Sequence, residues 1–363
     1  MSLCCGMIGL PNVGKTTVFN ALVGAGGLVA NYPFATVETN IGISAVPDPR
    51  LSQLVTIFHS KKMTPSTLEV RDIAGLVQGA SQGEGLGNQF LGQIREVDVL
   101  LHLVRCFPEP NVVHVIGEVD PIRDIDIIES ELMLADLGML ERRRERLEKR
   151  IRAGDGEASQ EKAFIQRLEE LLNQGTWLHA HPFSADEQAQ LKDYQLLSAK
   201  PVCFVANVLE GWSPNDPFIN AVRQKAEKVG ANTIVLSGKI EAELATLPED
   251  ERLEFLEDLG LKESGLQRLL TAAHDLLGLI TFFTAGEEES RAWTIRKDTV
   301  AQDAAGKIHT DMHKGFIRAE VFAYTDLLAC GTPTAVKEKG LFRLEGREYI
   351  VKDGDIMYFR FNV

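Results

Sequence analysis

No apolar run in this 363-residue chain approaches the ~18–20 residues that a membrane-spanning helix needs. The first residues contain no lysine, so the charge pattern of a secretory signal is missing as well. Cysteine is scarce: Cys4, Cys5, Cys106, Cys203 and Cys330 show no Cys-x-x-Cys spacing, which excludes a zinc ribbon or a disulfide framework. Three of the five lie in apolar stretches that read as strands, as expected of small buried hydrophobes in a reduced, cytoplasmic protein. Positive charge is also in deficit. With 38 Lys and Arg against 52 Asp and Glu, the formal net charge of −14 argues against indiscriminate coating of nucleic acid, while leaving room for a local basic surface. Apolar and charged fractions are ordinary for a globular protein, and the length suits two or three domains.

Against these absences stands Gly9-Leu10-Pro11-Asn12-Val13-Gly14-Lys15-Thr16-Thr17, which matches Gly, four residues, Gly-Lys-Thr. Such a loop wraps backbone N–H groups around the phosphates of a nucleotide, and glycines let the backbone approach closely. Asn12, Val13, Gly14 and Thr17 are expected to contact nucleotide. Lys15 is expected to reach the β- and γ-phosphates and to act catalytically, and the Thr16 hydroxyl to ligate Mg²⁺. The apolar run Cys4 to Ile8 reads as a buried strand before the loop, and Thr16 to Val23 as a helix whose N-terminus faces the phosphates.

Further along, Asn31 to Thr39 is polar and turn-rich, suited to a switch whose threonine reaches Mg²⁺. Thr36 is the first choice for that ligand and Thr39 its competitor. Leu68 to Gly75 reads as an alternating strand ending in Asp-x-x-Gly, where Asp72 holds Mg²⁺ through water and the Gly75 N–H senses the γ-phosphate. Signalling GTPases place a water-orienting glutamine next, but Leu76 stands here and can neither orient nor polarise a water. Hydrolysis is therefore slow or helped from elsewhere. His114, in the loop Phe107 to Pro121 after the apolar strand Asp98 to Arg105, is the proposed stand-in, with a surface histidine as the plain alternative.

From about Asp126 to Gly175 the texture turns helical, with Met133, Leu137, Leu140, Leu147 and Ile151 in steps of three and four around Arg144. Gly154-Asp155-Gly156 interrupts it before Phe164, Leu168 and Leu171 resume, so an antiparallel hairpin is expected. Basic residues crowd Arg142 to Arg152, which reads either as an RNA-facing patch or as a solvated face with intrahelical ion pairs. The strand Pro201 to Asn207 leads into Asn207-Val208-Leu209-Glu210, where a GTPase would have Asn-Lys-x-Asp. Val208 lacks the lysine stem and Glu210 is a methylene longer than aspartate, so guanine selectivity weakens and adenine becomes acceptable. Ser237, Gly238 and Lys239, after the strand Thr233 to Leu236, suit a base-side loop. Short strands near Thr281, Glu320, Phe342 and Ile356, with a helix over Thr299 to Ala305, mark a small α+β domain. His309 and His313 lack ligand-spaced partners and read as surface or packing residues.

Together these residues resemble the YchF (Obg-like ATPase, EngD) family of translation-factor-class P-loop NTPases, across essentially the whole chain. The resemblance rests on Gly9–Thr17, Asn31–Thr36, Asp72–Val77, Asn207–Glu210, Ser237–Glu243 and Ile308–Val321, the last similar to a TGS signature. It implies an α/β P-loop domain (residues 1–125 and 198–277), a helical insertion (126–197) and a C-terminal β-grasp TGS domain (278–363). It also implies an ATP-preferring hydrolase that uses Mg²⁺ held by Thr16 and Thr36. Its implied partners are the ribosome, with the large subunit favoured, and RNA, and the protein is expected to be monomeric. Asn12 is similar to the asparagine of potassium-dependent relatives, which places K⁺ beside the phosphates. Gly238 stands where the family often has alanine. The leading functional reading is thus a slow, nucleotide-driven switch on the ribosome. A GTP-preferring Obg-like GTPase, a small-molecule phosphotransferase and an RNA-binding adaptor with negligible turnover are the alternatives.

Overall fold

The computed structural model describes residues 3–24, 28–30, 40–74 and 86–362. Two compact units divide the chain, Met1–Ser44 with Glu69–Leu269 and Ala45–Leu68 with Leu270–Val363.

The first unit is a seven-stranded sheet. Its strands are β1 (Cys4–Ile8), β2 (Leu28–Ala30), β3 (Asn40–Ala45), β5 (Thr67–Asp72), β6 (Val99–Arg105), β7 (Val202–Asn207) and β8 (Asn232–Leu236), in the order β2-β3-β5-β1-β6-β7-β8. Strand β4 (Met63–Thr64) belongs to the other sheet. From β5 to β8 the pairs are parallel, with Cys5 opposite both Val70 and Val99. Strands β1, β6 and β7 are buried at every position, which is why their sequences run apolar without alternation. Parallel pairing brings the loops after β1, β5, β6, β7 and β8 to one edge, where α/β sheets bind ligands.

Helical texture, read from about Asp126, begins earlier. One helix runs Pro121–Arg152, started by the Asp120 carboxylate accepting the Ile122 and Arg123 N–H groups and by proline at the first turn. The break comes at Gly154, whose φ of 87° suits glycine, and the Asp155 side chain then caps the helix Gly156–Asn173. The two helices run antiparallel, joined by Arg144–Glu169 at 3.1 Å and, nearer the turn, Lys162–Glu148 at 3.4 Å. Leu140, Leu147, Ala158, Ile165, Leu168 and Leu172 form the seam. Asp136 anchors this hairpin to the chain returning to β7. Its buried carboxylate accepts the Leu197 and Ser198 N–H groups and the Ser198 hydroxyl at 2.7–2.9 Å.

In the second unit, β9 (Leu279–Ala285) and β10 (Ser290–Arg296) form an antiparallel hairpin. Strand β11 (Phe316–Ala323) pairs antiparallel with β12 (Arg343–Glu345) and β13 (Asp355–Phe361), and β13 runs parallel to β9. Both faces are covered. Phe282, Val321 and Met357 pack with the helix Ala301–Ile308, while their chain neighbours Phe283, Phe322 and Ile356 pack with the opposite layer. His309 and His313 each face an aspartate, Asp311 at 3.3 Å and Asp303 at 3.0 Å.

That opposite layer contains a correction. Residues 45–68, assigned from sequence to the nucleotide domain, belong to the second unit, which also begins at Leu270 rather than 278. Helix α2 (Pro49–Phe58) buries Leu51 and Leu54 beside Phe283, and Met63 and Thr64 pair with Ser290 and Arg291. Arg50 bridges Asp48 and Asp353 at 2.8 and 2.6 Å. Apolar burial and pairing in β10 decide the placement, and strand β10 itself went unrecognised in the sequence.

Candidate nucleotide site

Three left-handed residues shape the loop between β1 and helix α1 (Lys15–Gly24). They are Gly9, Asn12 and Gly14, with φ of 154°, 62° and 96°. A Cβ at Gly9 would lie 2.5 Å from the Leu103 carbonyl oxygen, and one at Gly14 would lie 2.4 Å from Asn207 Nδ2. Both glycines are therefore required by close approach as well as by φ. Asparagine, at the second of these positions, is among the residues that tolerate this region best.

Lys15 is 8% exposed, and its ammonium donates to the Gly9 and Leu10 carbonyls at 3.3 Å. Burial holds its pKa below the ordinary lysine range, and the Asp72 charge opposes that shift. Asp72, at the end of β5, is shifted upward by burial, with Lys15 and the Thr16 hydroxyl pulling the other way. Thr16 Oγ1 donates to Asp72 Oδ2 at 3.3 Å. A hydroxyl and a carboxylate side by side next to a phosphate loop are the hard oxygen donors that suit Mg²⁺. Thr36 and Gly75, and with them Thr39 and Leu76, lie outside the described residues.

Asn207 ties the two halves of the site together. Its Nδ2 donates to the Val13 carbonyl at 2.8 Å, and its Oδ1 accepts the Gly238 N–H at 2.9 Å. Both ends of the amide are committed within the protein, so Asn207 sets the spacing between phosphate loop and base-side loop. The Ser237 hydroxyl caps the helix Gly238–Leu244 by accepting from the Ile240 N–H.

Between these loops opens a cavity of about 630 Å³, lined by Asn12, Gly14, Thr17, Val208 and Gly238, among others. That volume is within the usual range for small-molecule sites. Glu210 is exposed and absent from the lining, where Leu209 stands instead. Lys239, of the expected base-side loop, is in the wall, and sequence reasoning missed Phe107, Val112 and Glu243, which also line it.

The loop after β6 forms that wall because of Arg105. This arginine is 1% exposed, and its guanidinium donates to the Phe107, Glu109 and Val112 carbonyls at 3.0–3.3 Å while lying 5.0 Å above the Phe107 ring. An arginine closing a strand that is apolar but for His102 was the available signal. Asn12 Nδ2 then donates to the Val113 carbonyl at 3.1 Å, fastening this loop to the phosphate loop. His114, next along, is buried rather than at the surface. Its Nε2 meets Asp124 Oδ2 at 2.8 Å, and its Nδ1 accepts the Ile116 N–H at 3.2 Å. Both ring nitrogens are thereby engaged within the protein.

A phosphate loop after the central strand of a mainly parallel sheet, with a Thr–Asp pair and an open cavity beside it, defines a P-loop nucleotide-binding protein of GTPase-like fold. Comparison with known proteins agrees. Residues 4–150 match the family model described as a 50S ribosome-binding GTPase, and residues 279–362 match the YchF GTPase C-terminal model, described as a protein of unknown function. Curated proteins called ribosome-binding ATPase YchF are similar end to end. That of Pasteurella multocida is 48% identical over 363 residues, and that of Bacillus subtilis 48% over 367, each with 100% of both chains covered. The solved Schizosaccharomyces pombe YchF GTPase superposes with a TM-score of 0.87 at 35% identity, covering 99% of this chain and 98% of that one. The chain belongs to the YchF family.

Proposed function

We propose that this protein is a ribosome-binding, nucleotide-driven switch that hydrolyses ATP. The observation that carries the reading is the cavity spanned by Asn207, which joins a complete phosphate loop to a base-side wall without the Lys and Asp of a guanine site. Val208 and Leu209 offer that wall apolar surface. Glu243 supplies a carboxylate able to accept from an exocyclic amino group such as that of adenine. The relatives' name, ribosome-binding ATPase, supports both halves of the proposal. The description of the matched N-terminal model supports the large subunit as the docking site. We read the hairpin Pro121–Asn173 as the family's helical insertion and the sheet from β9 to β13 as its TGS domain.

Within the site, Lys15 would neutralise the β- and γ-phosphates, and Thr16 and Thr36 would hold Mg²⁺, with Asp72 acting on it through water. Bound Mg²⁺ supplies charge neutralisation across the phosphate oxygens. Asn12 has its amide nitrogen on Val113, leaving Oδ1 as the atom for K⁺. Equal turnover in potassium and sodium removes that part of the proposal. His114 orients the attacking water in place of the glutamine missing at Leu76, and to do so its Nε2 must leave Asp124. Nucleotide titration, with turnover followed in the presence and absence of ribosomes, tests the whole. Tighter binding of ATP than GTP and nucleotide-dependent ribosome association are expected, whereas a strong GTP preference or no association overturns it. His114→Ala is expected to keep affinity and lower turnover at saturating ATP by about 10²-fold, the lower range of a general acid–base contribution. Unchanged turnover removes His114 from the mechanism.

A further inference from the structure

The basic run Arg142–Arg152 separates in three dimensions into two sets. Arg143, Arg144 and Arg150 turn toward the hairpin's own acids, meeting Glu161, Glu169 and Asp155 at 2.7–3.1 Å, and Arg143 also lies 4.1 Å over the Tyr194 ring. These three hold the hairpin shut. Arg142, Arg146, Lys149 and Arg152 are all exposed, and among the described residues none of them forms an ion pair. Steps of four and three residues set Arg142, Arg146 and Lys149 on one face, opposite the seam residues Leu140 and Leu147. The three cover about 10 Å along the axis. Glu145 borders the stripe and offsets one of its charges.

Stabilisation of the helix C-terminus accounts for cations in the last turn, Lys149 and Arg152 among them. It does not account for Arg142 and Arg146, which lie before that turn. Nor does this face offer a protein partner an anchor. Among the described residues, no large apolar side chain is exposed between Leu134 and Leu209. A row of unpaired guanidinium and ammonium groups without apolar anchors, on a chain of net charge −14, is suited to phosphates.

We propose that Arg142, Arg146 and Lys149, with Arg152 beyond them, form a stripe that contacts the sugar–phosphate backbone of folded RNA. The choice of RNA rests on the ribosome-binding reading, and the test separates the two. The full-length variant Arg142→Gln/Arg146→Gln/Lys149→Gln is compared with the wild type for binding to ribosomes and to an RNA duplex of about 20 base pairs, between about 50 and 200 mM salt. Each phosphate contact contributes about 0.9 to the slope of log affinity against log salt, so the variant's slope on both ligands is expected to fall by about 3. Its affinity at the lower salt is expected to drop at least tenfold, with ATP turnover in the absence of ribosomes unchanged. Arg143→Gln, which removes a hairpin-internal pair, is expected to leave the slope as it is. Wild-type slopes and affinities in the triple variant overturn the stripe while leaving ribosome binding intact. A wild type that ignores ribosomes overturns the functional reading instead, and the duplex then decides the stripe alone.

Discussion

The two sheets are stabilised in different ways. Strands β9 to β13 are sealed on both faces by apolar layers that alternate residue by residue, Phe282 to one side and Phe283 to the other. The seven-stranded sheet also has a buried centre, but its loop edge is held by hydrogen bonds between loops. Asn207, Asn12 and Arg105 join four segments around an open cavity. Apolar burial is non-directional and closes the space between its layers, whereas directional bonds between loops can hold a cavity open at a set width. A change inside the apolar layers should therefore alter stability alone, and one at the loop edge should also alter binding.

Phe283→Ala is expected to have the largest effect. Phe283 is fully buried beside Leu51 and Leu54, so the variant is expected to lose about 3–5 kcal/mol in chemical denaturation. Nucleotide affinity, measured on the folded protein, should stay where it was; a parallel loss would mean the two units are not energetically distinct. Asn207→Ala tests the other side. It strands the Val13 carbonyl and the Gly238 N–H in a buried place, a cost of about 3 kcal/mol, and should also weaken ATP binding at least tenfold. Stability lost without any change in affinity would deny Asn207 its role in setting the cavity width.

Asp136→Asn makes the smallest change. The amide turns an NH₂ toward N–H donors, at a cost of about 1–2 kcal/mol near pH 7. Burial raises the Asp136 carboxyl from 3.8 to about 6. Between those values the folded state binds the proton that the unfolded state has released. The wild-type contribution therefore declines as pH rises through this window and is level above it. Denaturation midpoints of wild type and variant, followed from pH 4 to pH 7, should draw apart toward the acid end of this range, the wild type gaining on the variant; a gap that is constant or narrows there would contradict that sign.

Much of this was legible in the linear order of residues. Gly9–Thr17, the apolar strands that became β1, β6, β7 and β8, and the hairpin broken near Gly154 are all local patterns. Period, cap and glycine act within a few residues of themselves, so they survive being read one after another. The loop Gly9–Thr17 was readable for a second reason, since each residue type in it is demanded by a phosphate at fixed spacing. What the sequence determined by itself, then, is the phosphate loop, the strand–helix alternation around it and the family resemblance those segments carry.

Tertiary structure alone decided three things. Residues 46–66 lie in sequence between two strands of the first sheet, yet Met63 and Thr64 among them pair with β10, more than 220 residues away; no local signal encodes a partner at that separation. Asn207 reads as a base contact in its motif and becomes a brace only once the Val13 carbonyl and the Gly238 N–H arrive on either side of it. The basic run Arg142–Arg152 counts as one surplus of charge until helix geometry and the acids of the facing helix divide it into cations that close the hairpin and cations left to the solvent. In each case the residue's chemistry was already written, and its role depended on which groups the fold brought within about 3 Å, the range at which hydrogen bonds and ion pairs act.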